Sequence, residues 1–423
     1  MILTHIYERI CNYETVTWIF MKTAGIIAEY NPFHNGHEYH LAETRMQTGA
    51  DYLVVIMSGD YVQRGEPAIF NKYLRTRTAL MAGANLVLEL PVFGAVSSAA
   101  DFAGCAVGSL EKSGLVDILS FGSECGNLNF LKSQAEYTDT ETEEISILIR
   151  QGLKKGLSWP MARAAAYETA GYGTISSSPN DILGTEYLKA LKTLHSSMEP
   201  FPITRTDPGY HSKNRIGSFA SATAARKAIE ENDPDFLMEI LPDFFFSCFE
   251  KEGCPAVTFD DFSAVLNEKL LNSSLKQLED TSGMPKDLAA KLYKNRLRFL
   301  PARKLTKASK DRQYTYTRVS RSLLNFALGI TKQELSAFKE LGMCPWLRIL
   351  GFKKDSALLL TKLKKNSDIP IITKTADASS ILSGEALRLF EKHLLTSELY
   401  RMICEIKTGK STKNEFTRSV ILL

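Results

Sequence analysis

Two histidines three residues apart, His34 and His37, stand with Gly36 between them just after the apolar run Gly25-Ile26-Ile27-Ala28. Asn31-Pro32 lies between run and histidines. The pattern predicts a buried strand, a tight turn and the start of a helix, because Pro32 fixes its own φ and biases Asn31 away from helical angles. Backbone N–H groups at a helix start have no intrahelical acceptor and form a natural cradle for phosphate. Gly36 removes a side chain where a phosphate would come close. Two imidazoles there can donate hydrogen bonds to non-bridging oxygens as charge builds in an in-line displacement. Histidines beside an apolar strand can also be hydrogen-bonded core residues; a strand before and a helix after are the context that favours a site.

His-x-Gly-His directly after the first strand of an α/β unit resembles the signature of the nucleotidyltransferase superfamily, whose members adenylate a carboxylate or phosphate with ATP and release pyrophosphate. The surrounding elements must then form a parallel sheet. Asp51 to Gly59 reads as a second buried strand, Lys72 to Gly83 as a helix, Asn85 to Pro91 as a third strand, and Ser97 to Leu110 as an Ala-rich helix. Asp117 to Ser123 is a fourth strand and Pro202 to Arg205 a fifth. Strands alternating with helices at this spacing predict right-handed crossovers, with ligands outside the carboxyl ends of the strands. Residues 60–71 read as a polar loop, and Asn127 to about Tyr172 as mostly helical. Ser178 suits an N-cap, with Pro179 in the first turn and Asp181 completing a capping-box-like pattern. Ser221 to Arg226 begins a helix and is either a second phosphate-binding element or plainly capped.

At 423 residues the chain suggests at least two domains. A net charge of +3 leaves any nucleic-acid surface to be local. Seven scattered cysteines without a CxxC pair argue against a zinc site and a disulfide framework, and for a reducing cytoplasm. No apolar run approaches the ~20 residues of a membrane span. Residues 1–20 lack the layout of a signal peptide and read as an extension before a natural start at Met21.

From Asp243 onward the patterning turns helical, with little strand signal before Ile369. Lys291 to Arg321 carries 11 Lys and Arg against Asp311 alone, more than a solvated helix face usually holds. Tyr293, Tyr314 and Tyr316 are interleaved. Cations that release counterions and tyrosines that stack on unpaired bases point to RNA. Thr306 to Lys310 loosely matches the Lys-Met-Ser-Lys-Ser loop of synthetases.

Together these stretches resemble the bacterial tRNA(Met) cytidine acetate ligase family. The resemblance rests on Glu29 to His37, Met57 to Ala68, Leu88 to Pro91, Ser178 to Gly184, Tyr314 to Arg321 and Trp346 to Phe352. It covers the chain from about residue 21 to its end; Gly59-Asp60 stands where the family commonly has Gly-Asn. The resemblance implies an α/β fold: a Rossmann-like, parallel-sheet nucleotidyltransferase domain over residues 21–244, followed by a mainly helical tRNA-binding domain over 245–423. It implies acetyl-adenylate formed from acetate and ATP, then acetyl transfer to the exocyclic amine of the wobble cytidine of elongator tRNA(Met). By carry-over, His34 and His37 are catalytic. Ile27, Ala28, Glu29, Tyr30, Asn31, Pro32, Phe33, His34, Asn35, Gly36, His37, Glu38, Tyr39 and His40 wrap ATP, with Gly122, Asn180 and Arg205 completing the site. Mg²⁺ is expected with a pyrophosphate leaving group, with no metal ligand named. A small-molecule adenylyltransferase of the pantetheine phosphate or nicotinate mononucleotide type is the alternative, but it leaves the basic segment without a purpose. A non-catalytic RNA-binding protein is a third reading.

Overall fold

The computed structural model describes residues 21–139, 141–157, 159–205, 220–311 and 314–423. The expected extension, residues 1–20, and Arg312 of the basic segment lie outside the described residues.

Ten short strands are described: β1 (Thr23–Ala28), β2 (Tyr52–Ser58), β3 (Tyr61–Val62), β4 (Glu66–Pro67), β5 (Leu86–Leu90), β6 (Ile118–Ser123), β7 (Glu199–Thr204), β8 (Leu347–Phe352), β9 (Ile371–Ile372) and β10 (Ile421–Leu422). One sheet runs β10-β8-β5-β2-β1-β6-β7, with β9 paired to β8. Every pairing in it is parallel except β5 with β8. The apolar runs Leu53 to Met57 and Leu86 to Leu88 are buried because both faces are covered. Val54 and Ile56 enter one core and Val55 and Met57 the other, as the two-residue period of a strand requires.

The helices that matter for the site are α1 (Asn35–Thr48), α2 (Lys72–Met81), α3 (Ala99–Lys112), α4 (Leu128–Tyr137), α5 (Glu143–Lys154), α6 (Trp159–Thr169), α7 (Pro179–Thr193), α8 (Ala222–Glu231), α9 (Tyr316–Leu328) and α10 (Gly384–Thr408). The small residues of α3 let it lie along α7 on one face of the sheet. Helices α5 and α6 pack on each other around a small core of their own.

Three expectations change. Residues 60–71 are not all loop: β3 and β4 form a two-stranded hairpin. The Ser178 side chain makes no cap hydrogen bond, because the Asp181 N–H it would accept goes to Glu124 Oε2 at 3.0 Å, while the Asp181 carboxylate accepts from Ser123 Oγ and the Glu124 N–H at the end of β6. The C-terminal half is helical but returns β8, β9 and β10 to the sheet, so the sheet draws on both sides of the boundary expected between 244 and 245. Strand β8 escapes the apolar pattern because Arg348 interrupts it, yet Arg348 is only 5 % exposed.

What permits that burial is a cluster of charges between β5, α2 and the C-terminal half. Lys72 Nζ lies 2.8 Å from Glu89, 3.1 Å from Glu415 and 3.6 Å from Asp60. Arg348 pairs with the other side of Glu89 at 2.8 Å and with Glu415 at 2.5 Å. Against the upward push of burial, Arg348 and Lys72 hold the Glu415 carboxyl down to about 2. Ser397 of α10 accepts from Lys72 at 2.8 Å, and Tyr61 donates to Thr396 O at 2.8 Å.

Replacing Lys72 by Met leaves Glu89 and Glu415 sharing one guanidinium, Arg348, in a dry site. Urea unfolding of Lys72→Met should show a loss of about 3–5 kcal/mol relative to the parent, the cost of stripping one partner from a buried ionic group; a loss under ~1 kcal/mol would mean that the cluster is not what joins the halves.

Candidate active site

The chain leaves β1 toward β2 and β5 on one side, and takes up β6 and β7 on the other. The sheet therefore reverses direction between β1 and β6, where a crevice opens at the carboxyl ends of the strands. Ile27 and Ala28 end β1, paired with Ile56 and Met57. Tyr30 then enters the left-handed region at φ 49°, and the Asn31-Pro32 bond is cis. This turn is pinned from three sides. The Ile69 N–H donates to Asn31 Oδ1 at 2.7 Å, Arg226 of α8 donates to Asn31 O at 2.7 Å, and Tyr30 meets Phe33 and His37 edge-on at 4.8 and 4.9 Å between ring centroids.

His34 is the N-cap of α1 and is 3 % exposed. Its Nδ1 accepts the Gly36 N–H at 3.1 Å, while His37 Nδ1 accepts the His34 N–H at 3.3 Å. With Nδ1 acting as acceptor on both rings, the proton of each neutral imidazole sits on Nε2. The rings stack at 3.7 Å between centroids, 22° from parallel. Burial, reinforced by the Arg205 cation, lowers His34 to about 4; burial, then His34 and Arg205, lowers His37. His40, lowered to about 4 by burial and Arg205, lies 3.2 Å from Ser120 Oγ on β6. The arrangement supplies two neutral Nε2–H donors at the mouth of a helix, beside a cation. It is built to bind developing negative charge rather than to remove a proton.

Arg205 extends from the end of β7, and its N–H bonds Ser123 O at 2.9 Å. A Cβ on Gly122 would sit 3.4 Å from Arg205 Cγ and Cδ, so glycine gives that side chain its room. Asn180, in the first turn of α7, donates through Nδ2 to Glu124 at 2.6 Å, just beyond β6. Gly122, Asn180 and Arg205 therefore lie around the carboxyl ends of β6 and β7, with Arg205 near enough to the histidines to lower both. Asn35 Nδ2 bonds Glu239 O at 3.0 Å, tying α1 to the segment that follows α8. Glu38 and Tyr39 continue the first turns of α1, with burial and then Asp243 raising the Glu38 carboxyl.

Several participants were not among the expected site residues. Arg75, fully buried, donates to Glu29 O at 2.7 Å and Ser58 O at 2.9 Å, and also to Gly59 O and Phe70 O. It fastens the ends of β1 and β2 together, and no local pattern marks it. Arg226 was legible as a basic residue in the first turns of a Ser/Thr-rich helix. Ser221 does cap α8, accepting from the Ala224 N–H at 3.2 Å, while Arg226 reaches the turn.

The basic segment meets the site through the β3–β4 hairpin. Arg321 donates to Gln63 O at 3.4 Å, Ser320 to Gly65 O at 2.7 Å, and Arg303 pairs with Glu230 at 2.6 Å. Gly65, at φ 80°, lies so near that a Cβ would overlap the Arg321 backbone. Arg318 is exposed and lies over the Tyr314 ring at 5.0 Å. Thr306 to Ser309 belong to a helix (Ala302–Ser309) with Thr306 buried, so the resemblance to a synthetase loop does not hold. Among the described residues no helix is long and apolar enough to cross a membrane.

The profile of the HIGH Nucleotidyl Transferase family matches residues 21–415. The chain is similar to the tRNA(Met) cytidine acetate ligase of Acetivibrio thermocellus, at 36% identity over 95% of this chain and 100% of that protein. It is 38% identical to the tRNA(Met) cytidine acetate ligase of Caldanaerobacter subterraneus, with the same two coverages. Crystal structures of Thermotoga maritima TmcAL superpose with TM-scores of 0.84 for the apo form and 0.83 for the form bound with alpha-thio ATP. Both are 28% identical and cover 95% of this chain and 100% of theirs.

Neutral buried histidines make stability depend on pH with a definite sign. The unfolded chain takes up protons near 6.5, whereas folded His34 and His40 do so only near 4. Stability should therefore be flat above about pH 6.5 and fall as the pH drops toward 4, by up to ~2 kcal/mol at pH 5 from His34 alone. Urea titrations of the parent and of His34→Gln at pH 7 and pH 5 measure this; equal slopes in both would remove His34 as a source.

Proposed function

Since this chain belongs to the tRNA(Met) cytidine acetate ligase family, within the HIGH nucleotidyl transferases, we propose that it activates acetate with ATP and acetylates the wobble cytidine of elongator tRNA(Met). The observation that carries the reading is the pair of Nε2–H imidazoles at the start of α1, set where the sheet reverses.

ATP lies along residues Ile27 to His40, its α-phosphate at the N-terminus of α1, with Gly122, Asn180 and Arg205 on its other side. An acetate oxygen attacks the α-phosphorus in line, and the bond to the pyrophosphate oxygen breaks. His34 and His37 donate through Nε2–H to the non-bridging oxygens as charge accumulates, and Arg205 and Arg226 add positive potential. Because both rings are neutral beforehand, they reach the transition state without first losing a proton. Mg²⁺ would neutralise charge on the departing pyrophosphate; among the described residues no three His, Cys, Asp or Glu gather into a metal site. Residues 21–244 hold the nucleotide, and 245–423 offer tRNA the exposed cations Lys294, Arg298, Lys304, Lys307, Lys310 and Arg318. Such chemistry on tRNA belongs in the cytoplasm.

Acetate-dependent exchange of labelled pyrophosphate into ATP should fall at least ~100-fold in His34→Ala and His37→Ala, the scale of losing one oxyanion donor. Exchange at the parent's rate in both variants would take the imidazoles out of the reaction. Mass spectrometry of tRNA incubated with protein, ATP and labelled acetate tests the product.

Arg318→Glu should weaken tRNA binding and lower the slope of log affinity against log salt by about 1–2, leaving pyrophosphate exchange intact. An unchanged salt slope would exclude Arg318 from the RNA surface. Arg321 is a poorer probe, since it also anchors α9 to the hairpin.

A further inference from the structure

Acetyl transfer requires something that the histidines do not supply: an acceptor for the proton that the cytidine amine must lose. Both Nδ1 atoms are occupied by backbone N–H groups and both Nε2 atoms carry protons, so neither ring offers a lone pair at the crevice. One carboxylate at the carboxyl end of β1, within the stretch along which ATP lies, has no assigned part in the adenylation step. Glu29 is the residue immediately after β1, partly buried, and its Oε1 accepts the Gln63 N–H at 2.7 Å.

Its surroundings link the start of α1 to the basic segment. Arg226 influences both Glu29 and His34, so the carboxylate belongs to the same electrostatic pocket as the phosphate cradle. On its other side Gln63 joins it to the basic segment, because Arg321 of α9 donates to Gln63 O. The contacts Glu29–Gln63–Arg321 therefore link the end of β1 to α9.

We propose that the Glu29 carboxylate is the general base of the transfer step. The exocyclic amine nitrogen attacks the acetyl carbon of the acetyl-adenylate. The new C–N bond forms, the bond from that carbon to the phosphate oxygen breaks with its electron pair, and AMP departs. The proton leaving nitrogen goes to Glu29 and from there to water. Burial raises the Glu29 carboxyl above the ordinary range, which makes it a stronger proton acceptor than a solvated carboxylate. The charged and titratable groups around it are Arg64 from the hairpin, Arg75 from α2, Arg226 from α8 and Tyr187 from α7. The three arginines, with the Gln63 N–H, oppose the rise and favour the ionised form that a base needs.

This assignment rests on the acetate-ligase reading, and one experiment separates the two. Single-turnover transfer from prepared acetyl-adenylate to an elongator tRNA(Met) transcript is followed from pH 5 to 8, in the parent and in Glu29→Gln and Glu29→Asp. For the parent the rate should climb roughly tenfold per pH unit on the acid side and then level off. Glu29→Gln should be slower by about 100-fold or more with no acid climb, at a tRNA KM within about threefold of the parent. Glu29→Asp should restore the climb with its midpoint shifted. If Glu29→Gln keeps the climb, or its loss is entirely in KM, the general-base role is overturned while the ligase reading stands. If the parent transfers no acetyl group at all, it is the ligase reading that fails. Calorimetry guards against misfolding: should Glu29→Gln melt, an unshifted midpoint in Glu29→Asp refutes the proposal alone.

Discussion

Lys72 and Arg348 can leave water only because Glu89 and Glu415 stand between them, and the geometry of the whole molecule follows from that pairing. Glu89 belongs to the central sheet, whereas Arg348 and Glu415 come from the last fifth of the chain. Desolvating such groups costs several kcal/mol per ion, so the cluster is poor evidence for net stability. What it does is penalise every arrangement in which one partner is missing. Strand β8 must lie antiparallel beside β5 with Arg348 paired to Glu89 in register, because a one-residue slip would turn the guanidinium to the other face of the sheet. The C-terminal half is thereby held to the N-terminal half at a set distance, rather than tethered by a linker.

That rigidity matters for a two-step reaction with a labile intermediate. An acyl-adenylate must meet its acceptor before water reaches it, and proximity of two bound partners supplies much of the advantage that an enzyme offers. The hairpin of β3 and β4 is the joint. Its Gly65 lets the α9 backbone approach to contact, its Gln63 touches Glu29 on one side and Arg321 on the other, and its Glu66 lies within reach of Tyr316 and Arg303. One short hairpin thus connects the end of β1 to the basic segment. Arg75 has a similar duty deeper in the molecule, joining the ends of β1 and β2 by donating to their backbone carbonyls, which would otherwise be buried without partners.

How much of this could be read from the sequence follows from the range of the forces involved. The strand, turn and helix around His34 were legible because hydrophobic period, proline and glycine act within a few residues. So were the parallel strands ending at Ser58 and Ser123, and the Ser221 cap. Strand β8 was not, since a buried arginine looks polar until its partners 259 residues earlier, and later at Glu415, are known. The capping box at Ser178 failed for a similar reason: Asp181 has a better use at Ser123, 58 residues away. Arg226 could be suspected from its helix start, while Arg75 resembles any surface arginine on an amphipathic helix until the carbonyls around it are seen. Local rules found the strand, turn and helix around the histidines; long-range pairing decided what surrounds them.

The protonation states follow from the same turn. A motif of two histidines invites the idea of acid–base catalysis, but here each ring spends Nδ1 on a backbone N–H and lies beneath the Arg205 field, so neither holds a second proton at neutral pH. Donors that are already neutral bind a polyanion without exchanging a proton with solvent, and they do not compete with the carboxylate nearby for the proton released later. The turn that brings the rings to the start of α1 also points their Nδ1 lone pairs inward at the backbone. Tyr30, in its left-handed conformation, is the residue where the chain passes from the Glu29 carboxylate at the end of β1 to the turn that carries the rings.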